Sequence, residues 1–511
     1  MKARTVAIKS LQTKRPQPVC ATDAAASVST ELLLRPSAHW NKYFWRFVEL
    51  SRPFVPISKN EELVSSRSYN MAGIRTALGR SACFFVGLRI GVFVMIKQSL
   101  ALTDSSLSGV AADAMDTASG SRAGIAGFSP GQCTGEWEQA GWRQLKTPGA
   151  YECRNFSAMD SAGNGVAVSL YDGFCFHPRY VREFHRYSRR STRVKISSVR
   201  EQVLPSFYPG ATISVFQGGK CILRSVNVFP PGAFRGGRGS PECLVGPNRV
   251  TLRQDGTLGL TARGYPMEYT IAGPRYRTSR AIHVDLTFRP LATGNQQLLP
   301  LRPDSADGAQ HNWVLAVPMA SVTGRIGQIN LADDTMLLNM PLDGLGYHDQ
   351  YSGGSGIGRD VRAISRGHAI NQDWAIAWNH TNTSRPCDTD SLIILDKTAA
   401  PVIVQHPQSE IAYGRCGKLR NQYPARMVLH GSDSRGHNVE LLIQHQNLIE
   451  TGPYLVRNSC SVQLRSRGSK RYLGVGIMET LSTRGLTWPI ISDLAGRAIL
   501  QVAADDPLWR Q

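Results

Sequence analysis

The sequence lacks the motifs by which several large enzyme classes are recognised. No two of its ten cysteines lie within four residues of each other, which excludes a C-x-x-C zinc knuckle or redox motif. There is no G-x-S-x-G nucleophile elbow, no H-E-x-x-H zinc helix and no G-x-x-x-x-G-K-[ST] phosphate loop. The usual forms of serine hydrolase, zinc protease and P-loop NTPase are therefore excluded.

Acidic residues are scarce. The chain has 38 Asp and Glu against 58 Lys and Arg, which gives a net charge of +20. A dense basic run from Arg186 to Lys195 could bind nucleic acid or anionic lipid, but a solvated loop between strands is the favoured interpretation. Because zinc-finger, RRM and helix-turn-helix patterns are all missing from the sequence, we do not expect a nucleic-acid partner.

Long apolar runs are also missing. Charged residues at Arg89 and Lys97 interrupt the best membrane candidate, Cys83–Leu102, whereas a spanning helix needs about 20 mostly apolar residues. A start at Met71 would give this run the form of a weak signal peptide. We predict that residues 1–114 are a poorly structured basic extension, a targeting segment or a part absent from the mature protein. Sparse cysteines fit a reducing compartment, so we expect a location in the cytoplasm or at the periphery of the inner membrane, with export as the alternative.

From about Thr134 onwards the chain has the character of a β protein. Short β-branched and aromatic runs alternate with turn signals, and Asp255-Gly256 between two such runs predicts a hairpin. The glycine-rich segment Tyr351–Gly358 predicts a flexible loop. With no convincing long amphipathic helix, the pattern predicts an all-β fold of two consecutive barrel or sandwich domains, residues 128–365 and 366–511.

Two tripeptides carry the most chemical information, His311-Asn312-Trp313 and Tyr347-His348-Asp349. Side chains at i and i+2 project from the same face of a strand, so each tripeptide presents a pair of useful groups. A carboxyl group among aromatic and apolar neighbours has a raised pKa, and Asp349 would then stay protonated and could give a proton to a weakly basic substrate. A core tryptophan beside an incidental histidine, and a turn-capping Asp349, are the alternatives.

The tripeptides also resemble a family pattern. His-x-Trp followed by Gly-Tyr-x-Asp is similar to the carotenoid 1,2-hydratase (hydroxyneurosporene synthase) family, whose lipocalin-like relatives include Diels–Alderase-type pericyclases. The resemblance extends from about Glu136 to Thr480. Further matching segments, in the family's order, are Ala150-Tyr151-Glu152 with Phe156, Asp172–Tyr180, Val245–Asn248, Gln296-Gln297, Trp374–Trp378 and Gly474–Glu479.

This resemblance implies a fold and a set of roles. The fold would be two consecutive lipocalin-like β domains with an apolar ligand site. Asp349 would protonate a C=C bond, while Trp313 and Tyr347 stabilise the cation through their ring faces. His311 would position or activate the attacking water. From the matching segments we expect three further residues to bind substrate: Phe176, Trp374 and Trp378.

The implied function is acid-catalysed hydration, or a related cyclisation, of an apolar polyene or terpenoid, with no metal or organic cofactor. Peripheral membrane association would accompany such a substrate. The alternative is a non-catalytic lipocalin-like protein that binds a hydrophobic ligand, with Asp349 and His311 as polar anchors in the cavity. The sequence departs from the family at Cys153-Arg154-Asn155, where two aromatics are replaced, and at Gln350-Tyr351-Ser352. These departures leave the substrate itself open.

Overall fold

A computed structural model describes residues 141–190, 203–270, 273–292, 299–300, 311–371, 373–383, 388–396, 402–417, 420–433, 435–466, 472–483, 485–486 and 488–510. All of them belong to one compact unit, Ile125–Gln511. The predicted extension, residues 1–114, lies outside the described residues, as does the pair Gln296-Gln297.

The β-branched and aromatic runs of the first half form strands, most of them buried on at least one face. In chain order they are β1 (Tyr151–Met159), β2 (Gly165–Asp172), β3 (Gly210–Gln217), β4 (Lys220–Val228), β5 (Phe234–Gly236), β6 (Cys243–Val245), β7 (Asn248–Leu252), β8 (Leu258–Gly264), β9 (Met267–Thr270), β10 (Gly273–Tyr276), β11 (Arg280–Ala292), β12 (Leu299–Pro300), β13 (His311–Asn330) and β14 (Met336–Gly353).

The second half forms another antiparallel sheet. Its strands are β15 (Val361–Ile370), β16 (Trp374–Thr383), β17 (Thr389–Asp396), β18 (Val402–Ile403), β19 (Gln405–Cys416), β20 (Asn421–Ser432), β21 (Asn438–Thr451), β22 (Leu455–Ser466) and β23 (Tyr472–Ser482). In the described residues their order is β18-β17-β16-β15-β23-β22-β21-β20-β19. Because β15 pairs with β23, the first and last long strands of this half lie side by side.

The end of the chain returns to the first sheet. A short strand, β24 (Leu500–Gln501), pairs in parallel with β4, and the order of that sheet is β24-β4-β3-β2-β1-β14-β13-β11-β8-β7-β6-β5, with β12 paired to β13. Strands β9 and β10 form a separate ribbon. Both large sheets are curled into half-barrels. The helices are α1 (Pro178–Arg190), α2 (Ile357–Asp360) and α3 (Pro489–Arg497), with short 3-10 helices at Pro205–Phe207 and Pro507–Trp509.

The predicted all-β fold class is confirmed, because two large sheets make up most of the described residues. The hairpin at Asp255-Gly256 is present, since β7 and β8 pair antiparallel around it. The division into domains at residues 365 and 366 stays a prediction. That boundary lies inside β15, whereas the change from the first large sheet to the second lies between β14 and β15.

Two local predictions were wrong. Tyr351–Gly353 is the end of β14 rather than a loop, because it pairs with β1 on one side and β13 on the other. The basic run is not a loop at its start, since Arg186–Arg190 ends helix α1. That helix forms because Tyr180, Val181 and Phe184 recur at helical spacing and are buried. Among the described residues, no helix is both long enough and apolar enough to cross a membrane.

Candidate functional site

Strand β14 positions the two groups of the second tripeptide. It lies between β1 and β13, with Asp349 opposite Asn155 on one side and Leu315 on the other. Tyr347 and Asp349 share one face of β14. His348, which lies between them in the sequence, is on the opposite face and stacks on Phe156 with ring centroids 4.1 Å apart. The strand alternation predicted from sequence therefore separates His348 from the carboxyl group.

Three neutral donors point at the Asp349 carboxyl group, which is 1% exposed. Asn155 Nδ2 donates to Oδ1 at 2.8 Å. Trp313 Nε1 and Tyr347 OH both donate to Oδ2 at 2.9 Å. The two tripeptides thus meet at one carboxyl group, because β13 and β14 are neighbours in the sheet.

The pKa of Asp349 is raised from its ordinary value because the carboxyl group is buried. Arg366 opposes this rise, as do the three hydrogen bonds, because they favour the ionised form. Arg366 Nη1 lies 3.7 Å from Asp349 Oδ1. The same guanidinium is closer to Glu479, whose Oε2 accepts from Arg366 Nε at 3.0 Å and from Nη2 at 2.7 Å. Glu479 therefore neutralises much of the positive charge that would otherwise ionise Asp349.

A buried chain of ion pairs continues beyond Glu479. Arg457 Nε donates to Glu479 Oε1 at 2.7 Å, and Arg457 also pairs with Glu450. Glu450 in turn lies 2.9 Å from Arg224 Nε. Burial alone would raise the pKa of Glu479, but Arg457 and Arg366 lower it to about 2. Glu479 is consequently ionised at neutral pH and holds Arg366 in place.

His368 lies on the other side of Tyr347. The two rings are stacked, with centroids 4.3 Å apart and an interplanar angle of 5°. His368 Nε2 is 3.0 Å from Ser157 Oγ. Burial lowers the pKa of His368 to about 4, so the imidazole is neutral at pH 7.

A small cavity of about 30 Å³ lies between the two large sheets and reaches these groups. That volume suits one or two water molecules and is far below the several hundred Å³ of a typical ligand pocket. Its walls come from β1, β2 and β14 on one side and from β15, β22 and β23 on the other. The lining residues include Asn155, Ser157, Tyr347, Asp349, Arg366, His368, Arg457 and Glu479.

His311 lies apart from this cavity. It is opposite Gly353 in the β13–β14 register, two residue pairs further along than Trp313. Its Nδ1 is 3.1 Å from Tyr151 OH, and the two rings are stacked at 5.8 Å. Of the four predicted catalytic residues, the structure brings Asp349, Trp313 and Tyr347 together and places His311 against Tyr151.

The predicted substrate-binding residues fall in two different cores. Phe176 stacks on Tyr454 at 4.6 Å and belongs to the same buried apolar cluster as Trp313 and Tyr347. Trp374 and Trp378 belong to the core of the second sheet. Trp378 nevertheless contacts one residue of the cavity lining, because its ring packs against Gly367.

Six of the cavity-lining residues named above were not predicted from sequence: Asn155, Ser157, Arg366, His368, Arg457 and Glu479. A signal was available for two of them, since Arg366-Gly367-His368 has the same i, i+2 form as the two tripeptides. Asn155 and Glu479 are polar residues within apolar strands, which is a weaker signal. Among the described residues, no group of three or more His, Cys, Asp or Glu side chains is arranged to hold a metal ion.

Comparison with known proteins agrees with the resemblance seen in the sequence. A hydroxyneurosporene dehydrogenase of Chlorobaculum tepidum is 25% identical over 340 residues, which cover 62% of this chain and 79% of that protein. The chain is a distant homologue of that enzyme. No family model matches the chain. The similarity to the hydroxyneurosporene family predicted from the tripeptides and their flanking segments is thereby confirmed.

Solved structures of three proteins resemble this one at low sequence identity. An AttH protein of Nitrosomonas europaea has a TM-score of 0.44 and 11% identity, covering 70% of this chain and 98% of its own. CghA with bound Sch210972 has a TM-score of 0.38 and 14% identity, covering 66% and 89%. Kievitone hydratase from Nectria haematococca has a TM-score of 0.38 and 11% identity, covering 68% and 91%.

Proposed function

We propose that the chain is an enzyme that protonates a carbon–carbon double bond of an apolar polyene or terpenoid and then adds water or closes a ring. The observation that carries this proposal is the environment of Asp349. Its burial favours the protonated acid, while Asn155, Trp313 and Tyr347 are already aimed at the carboxylate that proton transfer would leave.

This arrangement favours the transition state over the ground state. As the proton leaves Asp349, negative charge grows on oxygens that three fixed donors and the nearby Arg366 already face. Donors that need no reorganisation stabilise developing charge most effectively. The proton itself comes from Asp349, so this step needs no metal or organic cofactor.

Aromatic rings surround the place where the cation would form. Tyr347 and Trp313 lie against Asp349, and each ring face would stabilise a nearby cation by about 0.5–2 kcal/mol. The buried cluster that contains both rings extends to Phe176, which supports a role for Phe176 in binding the substrate. Trp374 and Trp378 lie in the other core, and Trp378 packs across Gly367, so a contact of Trp378 with the same substrate would need the cavity to widen there.

An apolar substrate is supported by two facts. The apolar cluster beside Asp349 is rich in aromatic residues, which suit a long unsaturated hydrocarbon. The distant relative is named for hydroxyneurosporene, an acyclic carotenoid. Because the cavity measures only about 30 Å³, binding such a molecule would require the side chains around it to move apart.

A peripheral contact with anionic lipid is part of the proposal. Helix α1 exposes Arg179, Arg182 and Arg186 on one face, at i, i+3 and i+7. Its first residue lies beside the last turn of α3, where a Cβ on Gly496 would be 3.5 Å from Pro178. Along α3 and at its start, exposed apolar side chains are available to enter a lipid surface: Trp488, Ile490 and Leu494.

The acid role is tested by Asp349→Asn, assayed with an acyclic carotene such as lycopene in detergent micelles. The variant keeps the shape of the side chain but has no acidic proton, so we expect turnover to fall by about 100-fold or more. Asp343→Asn is the matched control, because Asp343 lies on the same strand and is exposed. Full turnover in Asp349→Asn would refute the acid role. Wild-type protein that binds polyenes without converting any of them would favour the non-catalytic alternative.

A further inference from the structure

The water that captures a cation needs a base close to Asp349, and two histidines are candidates. The resemblance gives this role to His311, but His311 lies against Tyr151 and opposite Gly353. The cavity that contains the Asp349 carboxyl group is lined by His368. His311, which the resemblance implies, is therefore not the histidine that lines the cavity; that histidine is His368.

His368 is built into this cavity by contacts on two sides. Its ring is held parallel to Tyr347 at 4.3 Å, and Tyr347 OH donates to Asp349 at 2.9 Å. On the other side its Nε2 is 3.0 Å from Ser157 Oγ, and Ser157 also lines the cavity. Tyr347 thus lies between the acid and the imidazole and fixes the position of both.

The space beside His368 has the size and polarity for water. A water molecule needs about 10–15 Å³ and several polar partners, and the cavity offers about 30 Å³ with Ser157, Asn155 and Arg457 among its walls. His368 keeps part of its surface exposed, whereas Asp349 is fully buried. Being neutral, the imidazole can accept a proton.

We propose that His368, oriented by Ser157, is the residue that holds and deprotonates the attacking water, an inference that rests on the acid function proposed for Asp349. Asp349 gives its proton to one alkene carbon, and the π electrons form the new C–H bond. The water oxygen attacks the cation to form the C–O bond, and one of its O–H bonds breaks with the proton passing to a ring nitrogen of His368. That proton returns to Asp349, which restores both groups and leaves an alcohol as product.

The test separates protonation from water capture by isotope. Lycopene is incubated with wild-type protein and with His368→Gln, once in D₂O and once in H₂¹⁸O, and products are read by mass spectrometry. In His368→Gln the cation still forms but is captured poorly, so it loses a proton and returns as a labelled alkene. We expect ¹⁸O-alcohol to fall about tenfold or more, while the total deuterium incorporated, summed over alcohol and recovered polyene, stays within about twofold of wild type.

Two further variants and one control complete the test. Ser157→Ala keeps the imidazole but removes the group that orients it, so we expect the same split with a loss of alcohol of roughly threefold or more. It also serves if His368→Gln does not fold. His311→Gln tests the rival histidine. His430→Gln is the control, since His430 lies half-exposed on β20, away from the cavity.

Each outcome decides the proposal. Full alcohol formation in His368→Gln overturns it, and so does an equal loss of alcohol and deuterium in a folded variant, which would make His368 a support for Asp349. The split appearing in His311→Gln instead would return the role to that residue. Wild-type protein that incorporates no deuterium at all would refute the acid function itself, and this proposal with it.

Discussion

The protonation state of Asp349 is set by burial on one side and by Arg366 and three hydrogen bonds on the other. Burial favours the neutral acid, whereas Arg366 at 3.7 Å favours the carboxylate. Glu479 weakens the effect of Arg366, because it holds the same guanidinium at 2.7 Å and compensates its charge. The acid proposed for catalysis therefore depends on a carboxylate that does not touch it.

Glu479→Gln is expected to lower the pKa of Asp349. Removing the negative charge leaves Arg366 without its ion-pair partner, while Arg457 keeps Glu450, and the positive charge of Arg366 then stabilises the Asp349 carboxylate. Since the reaction needs protonated Asp349, activity is lost as pH rises through this pKa. The high-pH limb of the kcat/KM profile should therefore move to lower pH. Breaking buried ion pairs should also cost about 3–5 kcal/mol of unfolding free energy.

Glu410→Gln is the control for that prediction, because Glu410 is a highly exposed glutamate on β19. Its pH profile and stability should match wild type. A limb that stays in place in a folded Glu479→Gln protein would show that Arg366 does not act on Asp349.

The sequence was sufficient for part of the site. Tyr347 and Asp349 could be placed on one face because i, i+2 spacing on a strand is a local property, whereas the contact of Trp313 with Asp349 also needs β13 to pair with β14. Glu479 could not, because its contact with Arg366 depends on β15 pairing with β23, strands separated by more than 100 positions in the chain. The role of His368 was hidden for the same reason, since its partners Tyr347 and Ser157 lie on the other sheet.

At the scale of elements, β15 depends on a glycine for its fit against β16. Gly367 is opposite Trp378, and the indole lies over the glycine. A Cβ at this position would be 2.3 Å from Trp378 Cζ2 and 2.6 Å from the Ile477 carbonyl oxygen. Backbone and a fully buried ring cannot both move away, so only glycine fits without a shift.

Gly367→Ala should destabilise the protein by about 1–3 kcal/mol, through overpacking of this contact. The measurement is the midpoint of urea unfolding followed by tryptophan fluorescence. Gly358→Ala is the matched control, because a Cβ there would find only Thr483, at 4.0 Å. Equal midpoints for the two variants would mean that the Trp378 ring can rotate away from β15 freely.

The last turns of helix α1, Arg186–Arg190, belong to the basic run that was predicted to be a loop. Its apolar positions are few and its arginines many, so composition concealed a helical period that is clear once Tyr180, Val181 and Phe184 are seen to be buried together. The exposed arginines Arg179, Arg182 and Arg186 then lie on one face of helix α1. This face can be tested as a unit.

Replacing Arg179, Arg182 and Arg186 by Gln should weaken binding to vesicles of phosphatidylcholine and phosphatidylglycerol. Each arginine near an anionic surface contributes about 1 kcal/mol, and salt should reduce wild-type binding in the same way. Vesicle co-sedimentation gives the measurement. A triple Gln variant elsewhere on the surface, at Arg235, Arg249 and Arg253, removes equal charge. If both triples lose the same affinity, net charge and not the α1 face governs binding.

At the scale of the whole molecule, strand content was easier to predict than connection. Turn pairs such as Asp255-Gly256 and alternating apolar runs are local signals, and they gave the β class and many strands. The order of strands is set by long-range pairing. β1 lies next to β14, and β24, which follows the whole second sheet in the chain, pairs with β4. No local pattern predicts such returns, because their energy comes from surfaces that only the folded sheets create.

That return of the chain end makes the stability of the first sheet depend on the last residues described. Leu508 is fully buried in the core of the first sheet, together with Val502, and Asp506 accepts a hydrogen bond from Tyr265. Leu508→Ala should therefore cost about 2–5 kcal/mol, as for other large-to-small core changes. Leu494→Ala, on the exposed face of α3, should leave the urea midpoint unchanged. If Leu508→Ala also left the urea midpoint unchanged, the packing of Leu508 would not contribute to the stability of the first sheet.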